Sequence, residues 1–297
     1  MRNFLEKLAI IFFILGLFSY SAYASQNHHD YYPLKFQRLL DGAKKYKDFD
    51  LTKAEQEMIR NELFLILSGH HQVVKNAPDK LGCSSSGNAR CYIHSSLGYR
   101  GARKILFGKI HLEEDGRGYF VKDVYCRKDF TNKETNIGPN TIPNSNLLNC
   151  EHTWPQSKFT GRFGNDIQKS DLHHLYPTDS RANSVRGNYN FAEVNGSSVP
   201  GNCEASRIGQ DRRTTSRSNR FEPPTEHRGN VARALFYFSV RYQIAISESE
   251  ETYLREWHLQ DPVDARERER NNIIYNVQLN RNPFIDYPEL PAKIQDF

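Results

Sequence analysis

Long apolar runs are nearly absent from this chain. Only one occurs, from Leu8 to Phe18 and broken by Gly16 alone, which argues against a multi-spanning membrane protein. Cysteine is sparse, with 5 in 297 residues, and no pair has Cys-x-x-Cys spacing. A zinc ribbon or a thioredoxin-type redox site is therefore not expected. Internal repeats are lacking, as is any linker long enough to separate two domains. Charge of one sign does not dominate either: 40 Lys and Arg against 35 Asp and Glu leave +5, a mild basic excess that suits an acidic substrate without proving one. Tryptophan is scarce, but 18 Phe and 16 Tyr are too many aromatics for a disordered tail or linker. The length accommodates one large domain, or two modest ones, with a sizeable core.

The apolar run is short against the roughly 20 residues that span a bilayer. Arg2 and Lys7 precede or open it, and Ala22-Tyr23-Ala24 follows it. Residues 1–24 thus read as a cleaved signal peptide rather than an anchor. The mature chain, 25–297, is expected to be exported into a compartment where disulfides form. Cys83, Cys91, Cys126, Cys150 and Cys203 all lie in that part. Their odd number leaves at least one thiol unpaired or paired between chains, and their spacing does not choose partners. Cys83 and Cys91, around a Ser/Gly-rich stretch, could close locally.

The spacing predicts helices over 34–46 and 53–67. The second opens with a Thr52/Glu55 capping box and carries Met58, Ile59, Leu63, Ile66 and Leu67 along one face. Residues 99–107 read as another helix and 119–126 as a strand, while 131–149 and 204–219 read as loops. A further helix is expected over 230–244, and a last one, capped by Asp261-Pro262, running to 279. Short strands flanked by helices make the class α+β, a mostly helical single domain.

The segment from Cys150 to Phe191 carries the chemistry. It contains Glu151-His152-Thr153-Trp154-Pro155 and Asp171-Leu172-His173-His174-Leu175-Tyr176-Pro177, then Asn183 and Arg186. Residues 172–176 can form a strand, Pro177 suits the first turn of a short helix, Asp179 its N-terminal dipole end and Gly187 its termination. Asn183 and Arg186, three apart, would share one helical face. A strand, loop, strand, short helix unit of this kind can gather Glu151, His152, Asn183 and Arg186. A carboxylate and an amide oxygen suit Mg²⁺ or Mn²⁺, a neutral His can take a proton from water, and an Arg can hold a phosphate. That set fits metal-assisted phosphodiester hydrolysis. Glu151 and His152, as neighbours on a regular strand, would face opposite ways. For both to serve one site, the strand must bulge or end there.

These blocks, with Asn188-Tyr189-Asn190-Phe191, Phe221-Glu222-Pro223-Pro224 and Asn280-Arg281-Asn282-Pro283-Phe284, resemble the endonuclease I family of exported bacterial nucleases, over roughly residues 95–290. The resemblance implies a ββα-metal active site with His152 as general base and Glu151 and Asn183 on a divalent metal, Mg²⁺ or a substitute such as Mn²⁺. It implies non-specific endonuclease cleavage of DNA and RNA to 5′-phosphate ends. The protein is separately expected to be a monomer without stable membrane association. The best-known members have a longer insertion after the Glu-His strand, carrying the Arg that touches the scissile phosphate. Here that Arg is either Arg162 or Arg186. Helices within 25–80 form an N-terminal extension with no counterpart in the family pattern.

Other residues keep two readings. Trp154 either stacks on substrate or packs in the core. His173 and His174 read as one packing and one hydrogen-bonding residue. Arg207 to Arg220, with Arg212 and Arg213 at its centre, is either a solvated loop or one that tracks phosphates. The rival from another class is a catalytically silent nucleic-acid-binding protein of the same fold; a second is a metal-dependent phosphatase for small substrates.

Overall fold

The computed structural model describes residues 31–43, 51–68, 71–73, 80–81, 90–92, 94–116, 118–215 and 217–297. Residues 1–24, Cys83 and the side chain of Cys91 lie outside the described residues. The chain opens with α1 (Leu34–Ala43) and α2 (Lys53–Ser68). The Thr52 N–H donates to Glu55 Oε2 at 2.8 Å and the Glu55 N–H to Thr52 Oγ1 at 3.3 Å, the reciprocal cap expected there. Ile59, Leu63, Ile66 and Leu67 are buried, whereas Met58 is exposed, so the apolar face is narrower than its sequence pattern. Strands β1 (His71–Val73), β2 (Lys80–Leu81) and β3 (Arg90–Tyr92) make a small antiparallel sheet. Then come α3 (Gly98–Ile105), extended by a wider π turn over Leu106–Ile110, and the meander β4 (Glu113–Asp115), β5 (Gly118–Lys122) and β6 (Asp129–Thr131). The strand expected to run to 126 stops at Lys122 because Asp123 builds a turn. Its Oδ1 accepts the N–H groups of Tyr125 and Cys126 at 3.0 and 2.8 Å, and its Oδ2 that of Lys128 at 2.8 Å.

After α4 (Asn132–Thr135), β7 (Leu148–His152) pairs antiparallel with β8 (Leu175–Asp179); α5 (Asn165–Ser170) lies between them and α6 (Ser180–Arg186) follows. The segment expected as a loop over 204–219 is largely strand. β9 (Val194–Val199), β10 (Cys203–Asp211) and β11 (Asn219–Glu222) form a second antiparallel meander. Cys203, Ser206 and Asp211 of β10 are buried and its other residues half-buried or exposed, without a regular alternation, and the register shifts between Cys203 and Arg207. Gly196 opposes Gly209 across the pair, and a Cβ on either would meet opposing backbone at 2.0 or 2.4 Å. Only glycine fits there.

The last third is helical: α7 (Arg228–Tyr242), α8 (Glu248–Gln260), α9 (Ala265–Gln278) and α10 (Pro283–Asp286). Every residue of α7 from Val231 onward is buried, as befits a helix enclosed on all sides. Packed against it are α2, α8 and α10. Phe36 and Leu40 of α1 share its core. The cap of α9 is Asp264, which accepts the Glu267 N–H, rather than Asp261, which accepts the Gly229 N–H at 2.8 Å. Helix α8 had no counterpart among the sequence expectations. Helices enclosing several small sheets give the expected α+β class.

One buried acid ties the site hairpin to these helices. Asp171 Oδ1 accepts from Gln278 Nε2 at 2.7 Å, and Oδ2 from the Tyr237 and Tyr242 hydroxyls at 2.9 and 2.8 Å, with Arg241 Nε at 3.4 Å. Burial pushes this carboxyl up, but His94, Arg241 and His173 outweigh it and hold the group below the ordinary carboxylate range. A depressed folded pKa contributes stability above the unfolded value, and that contribution is lost as pH falls. Asp171→Asn should therefore cost about 3–5 kcal/mol at neutral pH, by leaving Arg241 buried without its carboxylate. Urea unfolding of that variant should also depend less on pH than wild type below about pH 5.

Candidate active site

The β7–β8–α6 unit assembles the site. Glu151 lies opposite Tyr176 and His152 opposite Leu175. The strand ends at His152, and the Thr153 N–H donates to the His174 carbonyl at 3.0 Å as the chain turns away. Termination, one of the two routes open to adjacent strand residues, lets both side chains line one cleft of about 610 Å³. Asp179 caps α6, its Oδ1 accepting from the Arg181 and Ala182 N–H groups at 2.9 and 3.0 Å, and Gly187 with φ +54° ends it. Asn183 and Arg186 consequently face the same cleft. Two local expectations differ from the structure. Residues Leu172–His174 form a 3₁₀ turn, and Pro177 sits inside β8, because the cap is provided two residues later by Asp179.

Glu151 is buried, and its Oε1 accepts from the Tyr125 hydroxyl at 2.7 Å and lies 3.2 Å from Arg186 Nη1. Burial pushes the Glu151 carboxyl above its usual value, while Arg186 and Tyr125 pull it back. Arg186 also donates to the carbonyls of His152 and Thr153 at 3.1 and 2.5 Å, and its guanidinium lies 4.5 Å from the Phe191 ring centre. Tyr125 is held in turn: Ser206 Oγ donates to its carbonyl at 2.8 Å, and the Cys126–Cys203 disulfide ties the turn to β10. Cys150 is a buried free thiol.

His152 Nε2 lies 3.1 Å from the Lys169 carbonyl, an acceptor only, so Nε2 carries the proton and Nδ1 the lone pair. The Gln156 amide is 3.3 Å from Nδ1. Burial, reinforced by His174, pushes the ring down to about 3, so it is neutral at ordinary pH. Asn183 Nδ2 donates to the Cys150 carbonyl at 3.4 Å, an arrangement that does not use the amide oxygen. Among the described residues no three His, Cys, Asp or Glu side chains cluster as a metal cage. A cation bound here would draw on the Glu151 carboxylate and the Asn183 amide oxygen. Mg²⁺ accepts such a donor set, since it keeps several waters and few protein ligands.

The remaining sequence candidates lie elsewhere. Trp154 is buried and stacked on Phe238 at 5.1 Å, its Nε1 donating to the Lys158 carbonyl, so its ring belongs to the core. Arg162 is exposed, bonds the Gln243 side chain and does not line the cleft. Arg212 pairs with Glu193 at 3.1 Å and Arg213 with Glu256 at 2.6 Å, also outside the cleft. His173 and His174 both pack and both hydrogen-bond, to the carbonyls of Asn280 and Gln168 at 3.2 and 2.8 Å. Tyr99, Tyr125, Gln156 and Lys169 were not among the site residues read from sequence; only the position of Gln156, just after the Glu-His block, offered a signal.

The family model described as Endonuclease I matches residues 88–289. The chain belongs to the endonuclease I family. All four site residues fall inside the endonuclease I match, whereas α1 and α2 precede it. An extracellular ribonuclease of Bacillus subtilis (strain 168) is 39% identical over 167 residues, covering 49% of this chain and 53% of that protein. A periplasmic deoxyribonuclease of Aeromonas hydrophila is 32% identical over 120 residues, 40% of this chain and 48% of the other. An endonuclease-1 of Buchnera aphidicola subsp. Acyrthosiphon pisum (strain APS) is 34% identical over 118 residues, 39% and 44%. The chain spans about half the length of the curated relatives it matches.

The ion pair at the centre of this endonuclease I site makes a stability prediction. Arg186→Met leaves Glu151 buried without its counter-charge and should cost about 3–5 kcal/mol in urea unfolding. Tyr125→Phe removes one hydrogen bond to a charged group and should cost less, about 1.5–3 kcal/mol.

Proposed function

We propose that this protein is an exported endonuclease that hydrolyses phosphodiester bonds in DNA and RNA with a divalent cation, Mg²⁺ or Mn²⁺, leaving 5′-phosphate ends. The observation that carries the reading is the placement of a neutral imidazole, a fixed carboxylate and a side-chain amide around one open cleft on one ββα unit. The names of the relatives, a ribonuclease and a deoxyribonuclease, support action on both sugars. Their descriptions as extracellular and periplasmic, the leader-like first 24 residues and the Cys126–Cys203 bridge support export. No described helix is long and apolar enough to cross a membrane.

Glu151 and Asn183 would hold the cation through their side-chain oxygens. When bound, the ion stabilises the charge that develops on the phosphate and on the leaving 3′ oxygen. His152 Nδ1 takes a proton from the water that attacks phosphorus. The Lys169 carbonyl on Nε2 keeps the ring oriented and favours the imidazolium once the proton has moved. Arg186 holds Glu151 in place from below rather than meeting substrate.

Supercoiled plasmid incubated with the purified protein should be nicked and linearised with Mg²⁺ and left intact with EDTA. Binding without nicking would indicate the silent nucleic-acid-binding protein, and phosphate release from small monoesters alone the phosphatase. His152→Ala should fold, bind DNA and lose about 10²–10⁴-fold in cleavage rate. Asn183→Ala should raise the Mg²⁺ concentration needed for half-maximal cleavage; an unchanged titration would remove Asn183 from the metal.

A further inference from the structure

A phosphodiester in the cleft brings one negative charge, and attack by water builds more on its non-bridging oxygens. The donors that meet those oxygens must be positioned in advance, and among the described residues the cleft offers two cationic side chains, Arg186 and Lys169. Arg186 is buried, with Nη1 on Glu151 and on the His152 carbonyl, and Nη2 on the Thr153 carbonyl. Its two Nη groups are committed to the protein, and its Nε–H, although unpartnered, is buried. Lys169 is different. It is half-buried at the cleft wall, its Nζ sits 4.6 Å from the centre of the Tyr99 ring, and among the described residues it makes no hydrogen bond or ion pair with a protein acceptor. Its three N–H donors are available to a ligand.

Two features fix where that ammonium stands. Lys169 lies in the last turn of α5, where backbone carbonyls lack helical partners, and its carbonyl accepts the His152 Nε2–H at 3.1 Å. The face of Tyr99 attracts the ammonium, and the Tyr99 ring is itself 5.5 Å from the imidazole of His152. The base and the cation are thus set against each other through one residue and one ring.

We propose that Lys169 is the catalytic cation that holds the non-bridging oxygens of the scissile phosphate, a place for which Arg162 and Arg186 are the sequence candidates. The proposal rests on the nuclease reading of the site. It divides the work of residue 169 in two: the backbone carbonyl orients the base, and the side chain neutralises the phosphate. Side-chain replacement removes only the second.

The test is plasmid cleavage with Mg²⁺ by wild type and by Lys169→Met, Lys169→Gln and Lys169→Arg, each checked for a wild-type melting temperature. Loss of one preorganised donor to developing charge is expected to lower kcat about 10²–10³-fold in the Met and Gln variants, with a smaller change in KM. The Arg variant should recover at least about tenfold over Met, because it restores the charge. A Met or Gln variant that folds and cleaves within about threefold of wild type overturns the proposal. Wild-type protein that fails to cut plasmid overturns the nuclease reading itself, and this proposal with it; active wild type with an unaffected Met variant overturns Lys169 alone.

Discussion

A carboxylate beneath the surface of a protein is stable only with a positive partner and a full set of hydrogen bonds. Glu151 has Arg186 and the Tyr125 hydroxyl as those partners, and much of the surrounding architecture keeps the three together. Arg186 is the last residue of α6, so its position depends on where that helix begins, which the Asp179 cap decides. Tyr125 lies in the turn organised by Asp123 and joined to β10 by Ser206 and the Cys126–Cys203 bridge. The second meander, remote from the cleft in sequence, thereby acts on the orientation of a single carboxyl group. Arg186 also binds the carbonyls of His152 and Thr153, so the same cation fixes the strand end that allows Glu151 and His152 to share a cleft.

Polar burial extends behind the site. Asp171, Tyr237, Tyr242, Gln278 and Arg241 form a connected network between the start of β8 and helices α7 and α9. Networks of this kind specify one arrangement, because each member left unsatisfied is costly in a low-dielectric interior. The His173 and His174 rings sit on Tyr237 and Phe238 beside that network, and the carbonyl of Gln168 accepts from His174 Nε2. Helix α5, which carries Lys169, is in this way anchored to α7. The extension helices α1 and α2 contribute Phe36, Leu40, Ile59 and Leu63 to the same core as α7, although they lie outside the family match.

What could be read from the sequence was local. The Thr52/Glu55 box, the Asp179 and Gly187 signals around α6, and the three-residue spacing of Asn183 and Arg186 act within one or two turns of chain. The structure bears out that short-range physics. The commitments of the cations could not be read this way. Arg186 is bound to a carboxylate from a strand 35 positions earlier, and Lys169 is placed by a ring from α3. Trp154 had an open choice between stacking on substrate and packing, and it is decided by Phe238 of α7. The β10 strand was hidden because its buried residues, Cys203, Ser206 and Asp211, do not alternate, the register shifting between Cys203 and Arg207. Asp261 was the expected cap of the last helix, but it accepts the Gly229 N–H, and Asp264 caps α9 instead.

Cys150 sits in β7 between Asn149 and Glu151, buried and unpaired, while Cys126 and Cys203 are joined across 77 positions. In the extended chain Cys150 lies between those two in sequence and is the nearer partner for each. A random oxidant would favour the shorter loops and trap β7 in a mispaired ring, since closing a loop becomes less favourable with its length. In the folded protein the Cys150 sulfur is buried and out of reach of such mispairing. Burial in the folded strand then pushes the thiol up to about 12, which leaves almost none of the reactive thiolate. The strand that presents Glu151 and His152 to the cleft thus also keeps the third thiol inert, so a free cysteine can sit in the same fold as a bridge without scrambling it.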